Sequence, residues 1–474
     1  MIDSAVYVYP LPDGLPLNPD YTVRVRSKGG EWLEASTLTV KVDMHQVREA
    51  ALTRFDFAGE VEVEVICHRE RVERAELRPA ARDIRVQISD TGVIRFTLSR
   101  PHKLSLEING DRFHNLHLIA KTVDDARPDL ADPAVAVVKP GIHRTDELLA
   151  LLAEERRTLY FAPGLHHIEE VLLRLPSDTT VYLAGGAVLA GSLVCDRVRE
   201  VSIRGRGMIY LADFGRFSAF RGIRLVLAEA IEVRGISVID PPHYSIYLGQ
   251  SSGVRISDFE SFSTRGWSDG IDMMACQDIE IEDVFMRNSD DCIAIYADRW
   301  SYRGDSRRIT VRDSVLWADV AHPVHIGIHG NHQGAGSVIE QIRFENIDIL
   351  EHDEPQDGYQ GCLAINAGDR NTVRHVTFEQ IRIEPFERGR LLDLRVVRNP
   401  VYNPEPGSGI RHIRFAHVAA RVREGTRSRI EGYDAERSVE EIEIENLSIN
   451  GVKILDAEAG HIEIGPHTRN IKFS

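Results

Sequence analysis

One short pattern recurs through the later part of the chain: an aliphatic residue, any residue, then another aliphatic or aromatic one. It reads Val181-Tyr182-Leu183, Val201-Ser202-Ile203, Ile231-Glu232-Val233, Val254-Arg255-Ile256, Ile279-Glu280-Ile281, Ile309-Thr310-Val311, Ile342-Arg343-Phe344, Val376-Thr377-Phe378, Ile413-Arg414-Phe415 and Ile442-Glu443-Ile444. Successive copies lie mostly about 20 to 35 residues apart, the period of stacked repeat units. Alternation with period two inside each copy excludes helical repeats, and propeller blades would need several strands per unit. The pattern predicts an all-β chain dominated by a right-handed parallel β-helix, whose coils stack about 4.8 Å apart. Asn346, Asn446 and Gly235 follow the strand pattern where the chain must bend, because these residues tolerate the backbone angles of tight turns.

Residues 1–125 have another texture. Alternating segments such as Thr37-Leu38-Thr39-Val40-Lys41-Val42, Val61-Glu62-Val63-Glu64-Val65, Ile84-Arg85-Val86-Gln87-Ile88 and Lys103-Leu104-Ser105-Leu106-Glu107-Ile108, with Asn109-Gly110 as a hairpin signal, predict a small antiparallel β-sandwich. Residues 126–142, ending in Pro140-Gly141, read as a linker, and 143–474 as the β-helix. Thr145 to Glu155, apolar at Leu148, Leu149, Leu151 and Leu152, is the one stretch with helical spacing.

With 57 basic against 73 acidic residues, the formal charge of -16 argues against nucleic acid or an anionic membrane as partner. It also mildly disfavours a polyanionic substrate. The five cysteines have neither disulfide nor zinc spacing and are expected to be buried thiols. The N-terminus lacks a basic start followed by an apolar core, and no run approaches a membrane span; a cytoplasmic location is expected, or a secreted one if an export signal precedes these residues.

Chemistry concentrates in two acidic clusters, Ser268-Asp269-Gly270-Ile271-Asp272 and Asn288-Ser289-Asp290-Asp291-Cys292, which lie about one coil apart. Coil stacking would bring Asp269 and Asp290 onto one outer face, and carboxylates that close cannot both ionise freely. A protonated acid beside ionised ones is the equipment of glycosidic-bond hydrolysis.

The block from Asp240 to Gly330 resembles the pectinase-like β-helix glycosidases, glycoside hydrolase family 28, which includes the polygalacturonases. Trp267-Ser268-Asp269 stands where that family has Asn-Thr-Asp, and Ser289-Asp290-Asp291-Cys292-Ile293-Ala294-Ile295 matches its Asp-Asp-Cys-Ile-Ala-Ile run. Ala321-His322-Pro323-Val324-His325-Ile326-Gly327 resembles its Gly-His-Gly segment. The resemblance implies an inverting hydrolase in which Asp290 is the proton donor, Asp269 and Asp291 activate water, and His322 tunes the acid from the groove. The family's Arg-Ile-Lys is replaced by Gly361-Cys362-Leu363-Ala364-Ile365-Asn366. That loss removes the partner of a galacturonate carboxylate. The two-domain layout also resembles the dextranase and isopullulanase group, family 49, which acts on neutral α-glucans; the net charge and the lost basic pair slightly favour such a neutral glycan over a pectin-type substrate.

Asp272, His243, Tyr244, His325 and Trp267 are the further candidates for substrate binding, and Trp300 could stack on a sugar face. Lys139, Arg395 and Arg398 are read as surface charges. No cofactor is expected. The histidines from His325 to His332 raise the question of a metal, but strand alternation already explains their spacing. Insertions 298–307 and 397–409 are expected to wall the groove. A polysaccharide lyase and a non-catalytic carbohydrate-binding β-helix remain as alternatives; the first needs a basic residue as proton acceptor, the second would bind glycans without turnover.

Overall fold

A computed structural model describes residues 5–152, 156–215, 221–356 and 358–474. Its larger part is a single 31-stranded arrangement in which each strand pairs with the equivalent strand of the next coil, almost always in parallel. The recurring sequence pattern is this register. Val201 pairs with Ile231, Ile231 with Val254, Val254 with Ile279, Ile279 with Ile309, and Ile309 with Ile342. The series continues through Val376, Ile413 and Ile442 to Ile471, a copy without a counterpart in the motif series. The first copy is offset by two positions, Val181 pairing with Ile203.

Inward side chains thus stack on their own kind. Phe344, Phe378 and Phe415 form a ladder of nearly parallel rings with centroids 5.2 and 5.0 Å apart, inside one continuous apolar core. Polar residues of the same strands alternate to the outside and pair across coils, as Arg343 does with Glu379 at 2.7 Å.

The N-terminal part is a two-sheet sandwich of six and five strands. Asn109 and Gly110 both have positive φ, as a two-residue hairpin between His102–Ile108 and Asp111–Thr122 requires. One expectation is corrected: Arg48–Ala58 and Asp111–Thr122 run parallel, so the sandwich is not wholly antiparallel. Another concerns 84–88, where only Gln87–Ile88 is a strand. The supposed linker 126–142 is corrected as well. Val135–Val138 and Gly141–His143 already belong to the first coil, pairing with Thr158–Phe161 and Gly164–Arg174. The helix is short, Thr145–Ala150; residues 153–155 of the expected helix lie outside the described residues.

The sandwich lies against an outer face of the coils that is apolar on both sides. Leu38, Val40, Leu52 and Ile119 pack on Met208, Ile239, Phe262, Phe285 and Trp317. Buried ion pairs frame the contact: Arg206 with Asp56 at 2.7 Å, Lys121 with Glu260 at 2.8 Å, and Arg78 with Glu384 at 2.6 Å. Each charge is matched by an opposite one, the condition under which burial is tolerated. Of the cysteines, Cys195, Cys276, Cys292 and Cys362 are buried and Cys67 is half-buried, all as free thiols.

Because Phe378 is packed between rings in the adjoining coils, Phe378→Ala is expected to destabilise the β-helix by ~3–5 kcal/mol. Equilibrium urea unfolding followed by circular dichroism would show this as a lower midpoint.

Candidate active site

Register places the catalytic candidates in columns. Ile246 pairs with Ile271, Ile271 with Ile293, and Ile293 with Val324. Two residues earlier on each coil, the same alignment stacks Tyr244, Asp269, Asp291 and His322 at one corner. The backbone confirms it: Gly270 N–H donates to the Asp291 carbonyl at 2.8 Å, and Cys292 N–H to the His322 carbonyl at 2.8 Å. Asp291 therefore stacks on Asp269, with Asp290 one residue to the side. Gly270 is needed here, since a Cβ would lie 2.3 Å from the Cys292 carbonyl oxygen. A second column carries Tyr247, Asp272, Ala294 and His325.

Oxygens of Asp269, Asp290 and Asp291 lie within 4.8 Å of one another. Their environments differ. Asp290 is partly exposed and accepts hydrogen bonds from the N–H groups of Trp267 at 2.9 Å and Asp291 at 3.0 Å. Burial and the Asp291 charge push its pKa up to about 6. For Asp291 burial acts upward too, but the His322 and His325 rings overcome it and hold the carboxyl well below the usual range. Its Oδ1 meets His322 Nδ1 at 2.7 Å and its Oδ2 meets His325 Nδ1 at 3.0 Å.

His322 also has its Nε2 2.8 Å from the Tyr359 carbonyl. Both nitrogens face acceptors, so both must donate, and the ring is an imidazolium. Burial opposes this, yet Asp291 lifts the pKa to about 9. The ring then has no lone pair for a metal, although Asp291, His322 and His325 are close enough to be considered as ligands. The three aspartates are the other group that could take a cation, in competition with the protons held there.

Asp269 and Asp272 are both buried, and burial raises both well above the carboxylate range. Neither oxygen of Asp272 meets a donor among the described residues other than Asp269, which can donate only when protonated. Their raised pKa values favour a proton on this pair. Arg299, with Nη1 3.5 Å from Asp272 Oδ2, supplies the balancing charge from beneath the rings of Tyr296 and Trp300, 4.6 and 5.1 Å from its guanidinium carbon. Below about pH 6, where Asp290 holds its proton, a further proton on the Asp269–Asp272 pair would leave two carboxylates to balance Arg299 and His322.

Of the residues expected to bind substrate, His322, His325 and Asp272 are fully buried and Tyr244 nearly so, packed around the three aspartates. His243 is half-buried, with its ring 6.2 Å from that of Trp267, which is 54% exposed. Trp300 is 46% exposed and stacks at 6.0 Å on Tyr244. These rings form the open wall beside Asp290. The two insertions also contribute: 298–307 carries Arg299 and Trp300, and 397–409 carries Tyr402, whose ring lies 4.9 Å from Tyr359. Arg299 and Tyr359 were not singled out from the sequence. The position of Arg299, next to Trp300 in an insertion adjoining the acidic clusters, was the available signal; nothing local marked Tyr359.

Residues 219–460 match the family model described as Glycosyl hydrolases family 28. The chain belongs to this family. Curated relatives include a polygalacturonase of Juniperus ashei, 24% identical over 183 residues, which are 38% of this chain and 32% of that one. A probable exopolygalacturonase B of Aspergillus terreus is 25% identical over 177 residues, 35% of this chain and 37% of that one. The chain thus spans about a third of the length of the curated relatives it matches. Among solved structures, Dex49A from Penicillium minioluteum superposes with a TM-score of 0.67 at 13% identity, covering 99% of this chain and 96% of its own. A family 28 exopolygalacturonase of Yersinia enterocolitica gives 0.52 at 11% identity, covering 87% and 96%. At these identities the two structures speak to the fold, and the first shares it from sandwich to last coil.

His322→Gln is expected to leave Asp291 without its cation, raising the Asp291 pKa and, by the same lost charge, that of Asp290. Both limbs of the pH profile of kcat/KM should move to higher pH, and a pH series on the purified variant checks it.

Proposed function

We propose that the protein is an inverting glycoside hydrolase in which Asp290 is the general acid. The observation that carries this reading is the contrast between two adjacent carboxyls, one partly exposed with a pKa of about 6, the other clamped in its ionised form by two histidines. Asp290 donates its proton to the leaving glycosidic oxygen. Water rests against Asp291, and the Asp269–Asp272 pair, holding one proton between two carboxylates, accepts the proton that water releases.

The cluster spacing needs care. Facing carboxyls of inverting enzymes stand ~6.5–9.5 Å apart to admit a water, and retaining pairs ~5–5.5 Å. Here the nearest oxygens are within 4.8 Å, so the acids share one wall instead of facing each other across the sugar. Asp269 and Asp291 are only 4% and 3% exposed. A carboxylate so recessed, with both oxygens engaged in the case of Asp291, is a poor direct nucleophile but a good holder of water, which favours inversion.

The substrate class that fits best is a galacturonate-containing glycan. Relatives named as polygalacturonases support it, and so does a cleft of about 570 Å³ lined by Tyr359, Asn366, Arg395, Arg398 and Tyr433. Tyr359 belongs both to this cleft and to the catalytic surround. The preference for a neutral glycan rests on the acidic net charge and on the missing Arg-Ile-Lys; against the second, Asn366 pairs in register with Arg395 one coil further on. Arg395 is held by Asp393 at 2.6 Å, whereas Arg398 is exposed. A lyase mechanism is less well served, because the nearest histidine with a raised pKa is already protonated and buried.

Asp290→Asn is expected to lower kcat on oligogalacturonates by ~10²–10⁴-fold without changing the fold. In the unmodified protein, activity should fall as pH rises through about 6, where Asp290 loses its proton. Reducing-sugar assays across pH on both proteins check this; an unchanged kcat in Asp290→Asn would remove the assignment.

A further inference from the structure

The sandwich carries a cleft of about 830 Å³ that the hydrolytic reading does not use. Arg26, Arg82, Arg85, Arg95 and Arg100 line it, with only Glu62 and Asp83 as acidic members. This concentration of cations stands out in a chain of net charge -16. Three of the arginines are committed: Arg26 to Glu62 at 2.5 Å, Arg82 to Asp348 at 2.7 Å, and Arg95 to Glu64 at 2.5 Å. Arg85 and Arg100 are exposed and have no hydrogen-bond or ion-pair partner among the described residues. Arg85 lies in the irregular stretch after the short turn Ala80–Arg82.

Two further features point to a ligand of mixed character. Trp32, half-buried, forms part of the lining, with the Arg26 guanidinium 4.3 Å above its ring. Gln87, Thr97 and Ser99 add neutral hydrogen-bonding groups. His102, also in the lining, is pushed down to about 4, first by burial and then by Arg100 and Arg82.

We propose that this cleft is a second, non-catalytic binding site for an acidic oligosaccharide, with Arg85 and Arg100 pairing to sugar carboxylates and Trp32 offering an apolar edge to a ring. Guanidinium groups suit carboxylates because their donors match both oxygens. A short anionic glycan fits a bounded cleft with hydroxyl-binding groups beside its cations. The choice of a sugar acid as ligand rests on the proposed function, whereas the site itself lies on the sandwich.

The test uses the full chain carrying Asp290→Asn, so that an oligogalacturonate of defined length is not consumed during calorimetry. Titration of this protein is compared with Arg85→Ser/Arg100→Ser and Arg85→Lys/Arg100→Lys versions, with the carboxyl-reduced oligosaccharide, and with inorganic sulfate. The expected result is a binding component that weakens about tenfold or more in the serine version, is intermediate in the lysine version, which keeps the charge but not the paired donors, falls with added salt, and is absent for the reduced sugar. Thermal unfolding of each variant confirms that the fold is retained. No oligogalacturonate binding, binding unaffected by Arg85→Ser/Arg100→Ser, or sulfate binding as tight as the sugar would each overturn the proposal. Turnover by the unmodified protein is measured separately, so failure of the hydrolase reading leaves the outcome legible.

Discussion

The parallel register between coils is the constraint on which the rest of the molecule depends. It is set by inward aliphatic residues that stack on equivalent residues of the next coil, from Val201 through Ile309 to Ile471. A slip by one residue would turn this apolar set outward. The same register decides which polar side chains meet outside. Tyr244, Asp269, Asp291 and His322 form one column only because Ile271, Ile293 and Val324 are aligned beneath them. Core packing and acid placement are consequences of one alignment.

The sandwich reaches this column from the opposite side. Arg287, fully buried, pairs with Asp319 at 2.9 Å and donates to Asn115 of the sandwich at 2.8 Å. Met44 N–H donates to Ser289 Oγ at 3.1 Å, and that hydroxyl donates to the Ser263 carbonyl at 2.9 Å. Ser289 directly precedes Asp290. The turn that presents the acid is therefore held on both flanks, by coil stacking and by the sandwich. Fixing carboxylates in place while keeping one protonated requires such a rigid surround, because a mobile carboxyl would turn to water and ionise normally.

Much of this was legible in the sequence. Period-two alternation with a long repeat identified the β-helix, and the Asp290-Asp291-Cys292 run located the site. The first coil was not visible, because Val135–Val138 and Gly141–His143 lie among turn residues that read as a linker. Nor was the parallel pairing of Arg48–Ala58 with Asp111–Thr122, since alternation reports a strand's faces and not its direction. Proximity of Asp269 to the second cluster was readable from spacing, but the register stacks it on Asp291, not on Asp290. His322 was legible as a site residue, whereas its double hydrogen bond needs both Asp291 and the Tyr359 carbonyl, the latter from a loop 37 residues further along the chain. The sandwich-facing apolar wall of Phe262, Phe285 and Trp317 gave no separate signal, because both faces of those strands are buried.

The central claim is that water held by recessed carboxylates, and not a carboxylate itself, attacks the sugar. Anomer-resolved proton NMR of the first product released from an oligogalacturonate measures this directly. The account predicts that the new reducing end appears first with inverted configuration and only later mutarotates to equilibrium. A first product with retained configuration would contradict it, since retention requires one of these acids to bond to the anomeric carbon.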